Sequence, residues 1–192
     1  MGQRMFVAVL PPEHIRDELE EFLEARPEIT WTPREQWHIT LAFCESVPLR
    51  RIDEFSELLV AATTRRRPFR LRLAGAGAFP SPDRPRVLWS GVEQDAPGGA
   101  DVLAQLSVAA RNAANRSGAV PDGARFRPHL TLARMRGRED ATRWLRVLET
   151  FRSSWWEVEE IALVASYLGE GPRGGTRYDV VEYASLGYPG AA

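Results

Sequence analysis

The sequence contains no lysine, so all 25 of its basic residues, set against 26 acidic ones, are arginine. That absence removes whole mechanisms. A P-loop needs its phosphate lysine and a pyridoxal enzyme needs its Schiff-base lysine, so this chain can build neither. A ligase that carries nucleotide on lysine is excluded as well. Cysteine is nearly absent. Cys44 alone forms neither an internal disulfide nor a cysteine-rich zinc site, which fits a reducing cytosol. No apolar run is long enough to span a bilayer. The apolar stretch before Pro11 and Pro12 is too short for a signal peptide. What remains is an ordinary globular composition of 192 residues, 44 % hydrophobic and 27 % charged. A chain of that length buries roughly 70 % of its unfolded surface and needs no staple.

The net charge of −1 hides an uneven distribution. Residues 13–28 hold seven acids and two arginines, the pattern of a solvated helix face. Residues 65–72 hold five arginines and no acid, and residues 122–146 hold seven arginines and three acids. Both basic segments suit a polyanion.

Hydrophobic spacing lays out the elements. A buried strand is expected at residues 6–10, and a helix carrying Ile15, Leu19, Phe22 and Leu23 follows it. Alternation predicts strands at 37–43 and 69–74, with a helix through Ile52, Phe55, Leu58 and Leu59 between them. Residues 75–85, rich in Gly and Pro, read as a loop. A strand at 87–89, a turn at 96–99 and a helix through Val102, Leu103, Leu106 and Ala110 come next. Residues 127–135 read as a strand, Trp144, Leu145 and Leu148 as a helix, and 155–168 and 178–186 as two closing strands. The expected fold is α+β: two similar lobes related by a pseudo-two-fold, antiparallel sheets lining a central groove, helices outside. Residues 1–192 are expected to form one bilobal domain, ending in a flexible tail from Gly187.

One pattern occurs once in each half: His38-Ile39-Thr40-Leu41 and His129-Leu130-Thr131-Leu132. On a strand, residues i and i+2 share a face. His38 and Thr40 therefore point one way, and His129 and Thr131 do the same on the second strand. Facing one groove, they bring together two imidazoles and two hydroxyls. One imidazole can act as base and the other as acid near neutral pH, while the hydroxyls donate to non-bridging phosphate oxygens. A single His-x-Thr on a strand is ordinarily a satisfied polar residue. Two copies at equivalent places use two of only three histidines. The third, His14, opens the acidic helix and is expected on its surface. No third zinc ligand flanks either motif histidine, so neither metal nor cofactor is expected.

These residues resemble the 2H phosphoesterases, and among them the bacterial and archaeal RNA 2′,3′-cyclic phosphodiesterases once named 2′-5′ RNA ligases. The resemblance covers Arg4-Met5-Phe6-Val7-Ala8-Val9, Trp37-His38-Ile39-Thr40-Leu41-Ala42-Phe43, Gly77-Ala78-Phe79-Pro80 with Pro85-Arg86-Val87-Leu88-Trp89, Phe126-Arg127-Pro128-His129-Leu130-Thr131-Leu132-Ala133-Arg134, Glu160-Ile161-Ala162-Leu163-Val164 and Arg177-Tyr178. It implies metal-independent opening of a 2′,3′-cyclic phosphate to a 2′-phosphate, with 2′-5′ RNA ligation open to the same site as the reverse of phosphodiester cleavage. His38 and His129 are then the catalytic pair, His38 protonating the departing O3′ and His129 activating water, although a pseudo-symmetric site runs either way. Thr40, Thr131 and Arg134 bind phosphate, and Phe43 sits near the ligand. The expected partner is RNA with a 2′,3′-cyclic phosphate end or a cyclic nucleotide, and the expected state is a cytoplasmic monomer with no membrane contact. The alternatives are a phosphodiesterase for small cyclic nucleotides or an ADP-ribose cyclic phosphate, and a non-catalytic RNA- or nucleotide-binding module. One difficulty is physical. Arg134 lies five residues past His129, so strict alternation puts it on the wrong face. To reach the groove, the strand has to end, twist or bulge after Leu132. Phe43 has the same parity problem after His38, and a core role is equally open for it. Phe6 is expected in the core.

Overall fold

The computed structural model describes residues 2–96, 99–135 and 141–187. The expected tail beyond Gly187, the middle of the 96–99 turn, and Arg136 and Arg138 lie outside those residues. The strands are β1 (Gly2–Val9), β2 (Ile39–Pro48), β3 (Phe69–Phe79), β4 (Val87–Asp95), β5 (Leu130–Arg134), β6 (Trp156–Val158), β7 (Glu160–Leu168) and β8 (Thr176–Ser185). The helices are α1 (Glu13–Glu24), α2 (Ile52–Thr63), α3 (Val102–Arg116) and α4 (Thr142–Leu148). The strands join in one sheet in the order β6-β3-β4-β5-β2-β1-β7-β8. Every pairing is antiparallel.

The sheet divides at its centre into two sets of four, the architecture expected of two similar lobes. The sets are not the two halves of the chain, however. β7 and β8 return to complete the set begun by β1 and β2, while β5 and β6 join β3 and β4. The motif strands β2 and β5 sit side by side at the seam, where they pair only at Ile39 and Leu130. The sheet must also curl. Glu159 alone separates β6, at one edge, from β7, next to the opposite edge. A single residue can link them only if the two ends of the sheet approach each other.

The helices cover one face of this sheet. Ile15, Leu19 and Leu23 of α1, Phe55 and Leu59 of α2, and Leu103, Leu106 and Ala110 of α3 enter a continuous core. Each fully buried leucine there stabilises the fold by about 1.5–3 kcal/mol. Asp101 caps α3 by accepting from the Ala104 amide. The outer face of α1 is more than solvated, because Arg34 binds Glu13, Asp17 and Glu20 together. His14 is exposed on that helix, as its position implies. Cys44 is buried, and burial pushes its thiol up to about 11. Among the described residues no helix is long and apolar enough to cross a membrane.

Two sequence expectations change here. Residues 75–79 are not loop but the second half of β3. The glycines serve strand geometry: Gly75, at φ 80°, lies where the β3–β4 register slips between Leu73 and Ala76. A Cβ on Gly77 would lie 1.9 Å from Cζ2 of Trp89, so only glycine lets that indole lie across the strand. The stretch 155–168 is likewise two strands. Trp156–Val158 pairs with β3 and Glu160–Leu168 with β1 and β8, a crossing between distant strands that apolar periodicity does not reveal.

Candidate active site

The seam between β2 and β5 brings both motifs together. With Ile39 opposite Leu130, continuing that antiparallel register one residue each way sets His38 opposite Thr131 and Thr40 opposite His129. Ile39 and Leu130 point into the helix-covered core, fully buried. The four motif side chains therefore lie on the other face, within the span of directly opposite and diagonal strand neighbours.

Each motif strand then bulges at the same place. Val7 pairs with Ala42 and Ala8 with Thr40, which leaves Leu41 without a partner. Leu88 pairs with Ala133 and Trp89 with Thr131, which leaves Leu132 without one. The extra residue reverses the alternation. Phe43 pairs with Phe6, on the same face as Ala8 and Thr40. Arg134 pairs with Val87, on the same face as Trp89 and Thr131. The irregularity demanded at Leu132 is present, and an equivalent one at Leu41 brings Phe43 to the groove. Neither bulged carbonyl is left unpaired: Leu41 accepts from Ser107 Oγ at 2.6 Å, and Leu132 from the Thr32 amide at 2.7 Å. Replacing Ser107 with alanine strands a buried carbonyl. The expected cost is about 1–3 kcal/mol of stability, measured by thermal or denaturant unfolding, and an unchanged melting point would refute this role.

Each histidine is held in the same way. His38 Nδ1–H donates to the Gln36 carbonyl at 2.6 Å, and His129 Nδ1–H to the Arg127 carbonyl at 2.7 Å. A carbonyl only accepts, so Nδ1 carries the proton and Nε2 is the free nitrogen of each ring. Aromatic rings fix both imidazoles. Phe6 stacks on His38 at 4.5 Å and Tyr178 meets it edge-on at 5.5 Å. Phe79 meets His129 edge-on at 5.0 Å, and Trp89 lies 6.1 Å from it. The apolar surroundings disfavour charge. Burial lowers His38 to about 4, and the nearby positive charges of His129 and Arg134 add to it against the opposing Gln36 carbonyl. Burial also lowers His129, helped by Arg134 and opposed by the Arg127 carbonyl. Both rings are thus neutral in the empty groove at pH 7.

Arg134 is exposed, and among the described residues no carboxylate pairs with it. The hydroxyls of Thr40 and Thr131 likewise have no partner among the described residues. Phe6 is buried as expected, but in a separate cluster on the groove face with Ala8, Ala162, Val164, Leu10, Phe43 and Tyr178. The sequence reading gave no role to Phe79, Trp89, Tyr178 or Arg4. Arg4 lies over the Phe43 ring, 4.4 Å from its centroid. These four residues come from β1, β3, β4 and β8, and only the sheet order brings them to the motifs. The basic run at 65–72 is partly neutralised, since Arg72 pairs with Glu93 and Arg70 with Asp95.

The chain matches the family model described as the 2′-5′ RNA ligase superfamily over residues 11–170. A protein named RNA 2′,3′-cyclic phosphodiesterase from Aeropyrum pernix is 37 % identical over 150 residues, covering 76 % of this chain and 82 % of that one. One of the same name from Thermus thermophilus is 32 % identical over 196 residues, covering 95 % and 90 %. The solved structure of TT0787 from Thermus thermophilus superposes with a TM-score of 0.75 at 29 % identity, covering 96 % of this chain and 98 % of that one. The apo LigT structure from E. coli gives the same TM-score and identity, covering 97 % and 98 %.

Proposed function

The chain belongs to the 2′-5′ RNA ligase superfamily, and from that premise we propose that it hydrolyses RNA 2′,3′-cyclic phosphate ends to 2′-phosphates. The observation that carries this reading is the pair of matched half-sites on one face: two imidazoles with Nδ1 engaged by carbonyls, and two threonine hydroxyls and one arginine that, among the described residues, have no hydrogen-bond or carboxylate partner.

The chemistry follows from what those groups can do. The cyclic phosphate is a monoanion held between Thr40 and Thr131, with Arg134 matching its charge through a planar fork. One Nε2 takes a proton from water as it attacks phosphorus. The other gives a proton to O3′ as the P–O3′ bond breaks, so each turnover leaves the pair with the same number of protons. Burial disfavours the charged form of both rings, so the bound anion must help place the pair's one proton on the ring that protonates O3′, as a neighbouring negative charge does. With a 5′-hydroxyl in place of water as the nucleophile, the same steps open the 2′,3′-cyclic end into a 2′-5′ bond and release O3′, with hydrolysis favoured in water.

The direct test is an oligonucleotide ending in a 2′,3′-cyclic phosphate, incubated with the protein in excess EDTA. The expected product is a terminal 2′-phosphate at an undiminished rate. Loss of activity in EDTA removes the metal-free mechanism, and a 3′-phosphate product removes the assignment of O3′ as leaving group.

A further inference from the structure

Arg4 lies on β1, two residues before Phe6, where the pairing with β2 shifts between Gln3 and Met5. Its guanidinium carbon lies over the Phe43 ring, 4.4 Å from the centroid, on the groove face. Arg34, Arg51, Arg72, Arg111 and Arg177 each pair with a carboxylate. Among the described residues Arg4 has none. Arg4 and Arg134 thus stand at the groove without a carboxylate partner among the described residues, and the charges of both reach Tyr178.

On the groove face the two half-sites differ at one matched position. Five residues after its histidine, the second motif carries Arg134 and the first carries Phe43. Arg4 stands over that Phe43, so the first half-site also has a cation, set further from the histidines. Phe43 pairs with Phe6 and Thr40 with Ala8. Those levels are two β1 residues apart, roughly 7 Å along the strand, about the length of one extended nucleotide. Stacking on a ring pre-orients the guanidinium and leaves its N–H edge free for a phosphate.

We propose that Arg4 binds the phosphate one nucleotide upstream of the cyclic end, and thereby sets a preference for RNA ends over free cyclic mononucleotides. This rests on the phosphodiesterase reading above and names a specificity residue within it. A free 2′,3′-cyclic mononucleotide has no upstream phosphate to offer.

The experiment compares a dinucleotide ending in a 2′,3′-cyclic phosphate with the free 2′,3′-cyclic mononucleotide, using wild type, R4Q and R4K across a salt series. Wild type is expected to prefer the dinucleotide. R4Q is expected to lower the dinucleotide-to-mononucleotide ratio of kcat/KM roughly tenfold, the loss of one charge-assisted contact. It is also expected to flatten the dinucleotide's logarithmic salt dependence by roughly 0.7, the slope of one phosphate neutralised on a single strand. R4K, which keeps the charge without the planar fork, is expected to retain that salt dependence while losing part of the ratio. An equal loss on both substrates in R4Q, or a wild type with no preference, overturns the proposal. A wild type inactive on both substrates instead removes the phosphodiesterase reading itself.

Discussion

Replacing His38 or His129 with alanine is expected to lower kcat/KM on a 2′,3′-cyclic phosphate end by roughly 10²–10⁴-fold each, the range for a lost general acid or base. The double variant is expected to fall little below the worse single variant, since the two rings act in one concerted exchange. Near-wild-type rates in either single variant would sink the two-histidine mechanism. Each alanine also removes ring contacts, with Phe6 and Tyr178 in one case and Phe79 and Trp89 in the other. Thermal unfolding of each variant separates misfolding from lost chemistry. A substrate with sulfur in place of O3′ then assigns the roles. A departing thiolate needs little protonation, so the variant lacking the acid recovers rate and the variant lacking the base does not. Recovery in His38→Ala makes His38 the acid, and recovery in His129→Ala reverses the roles.

The motifs were legible because they repeat. His38, Thr40, His129 and Thr131 come from two short sequences whose period of two already puts each pair on one face, and the structure brings all four to the β2–β5 seam. Arg134 and Phe43 were legible only in part. Their distance from the histidines contradicts strict alternation, and that contradiction is itself the signature of a bulge. No residue marks the bulge, because Leu41 and Leu132 look like ordinary core leucines and their carbonyls are satisfied by Ser107 and Thr32, remote in sequence. The rest of the site depends on sheet order. Tyr178 reaches His38 only because β8 docks on β7 and β7 on β1. The split at Glu159 was hidden for a related reason: β6 and β7 are both apolar and β-prone, and they differ only in which strand each one finds.

The charge count resolves in the same way. Arg70 and Arg72 of the 65–72 segment are engaged by neighbouring carboxylates, so that Arg-rich run does not translate directly into a phosphate-binding surface. Two arginines without carboxylate partners among the described residues face the groove, one from the second motif and one from the first strand. With no lysine in the chain, the cations available for phosphate there are planar and permanently charged.

The profile of kcat/KM against pH is expected to be a bell lying wholly on the acid side of 6.5, the ordinary value for histidine. This parameter reports the free enzyme, in which burial lowers both rings and takes His38 to about 4. The productive form holds one proton on the pair. It is depleted as pH falls through the lower of the two values and as pH rises through the upper one. Since the rings interact, the limbs belong to the pair and not to either residue. The kcat profile is expected at higher pH, because the bound phosphate anion favours imidazolium. Arg134→Gln removes a positive charge that lowers both histidines. Its kcat/KM limbs therefore move toward 6.5 even as its maximum drops. Stability follows the same sign. The unfolded chain protonates His38 near 6.5 and the folded chain only near 4, so the unfolded state binds more protons between those values. Stability is lost as pH falls through that window, by on the order of 3 kcal/mol from His38 once the loss is complete. Replacing His38 with asparagine, which cannot titrate, is expected to flatten that part of the unfolding free energy between pH 6.5 and 4. A kcat/KM limb above pH 6.5, or an acid destabilisation unchanged in His38→Asn, would show that the groove does not hold its histidines neutral. The phosphate would then meet a site already charged.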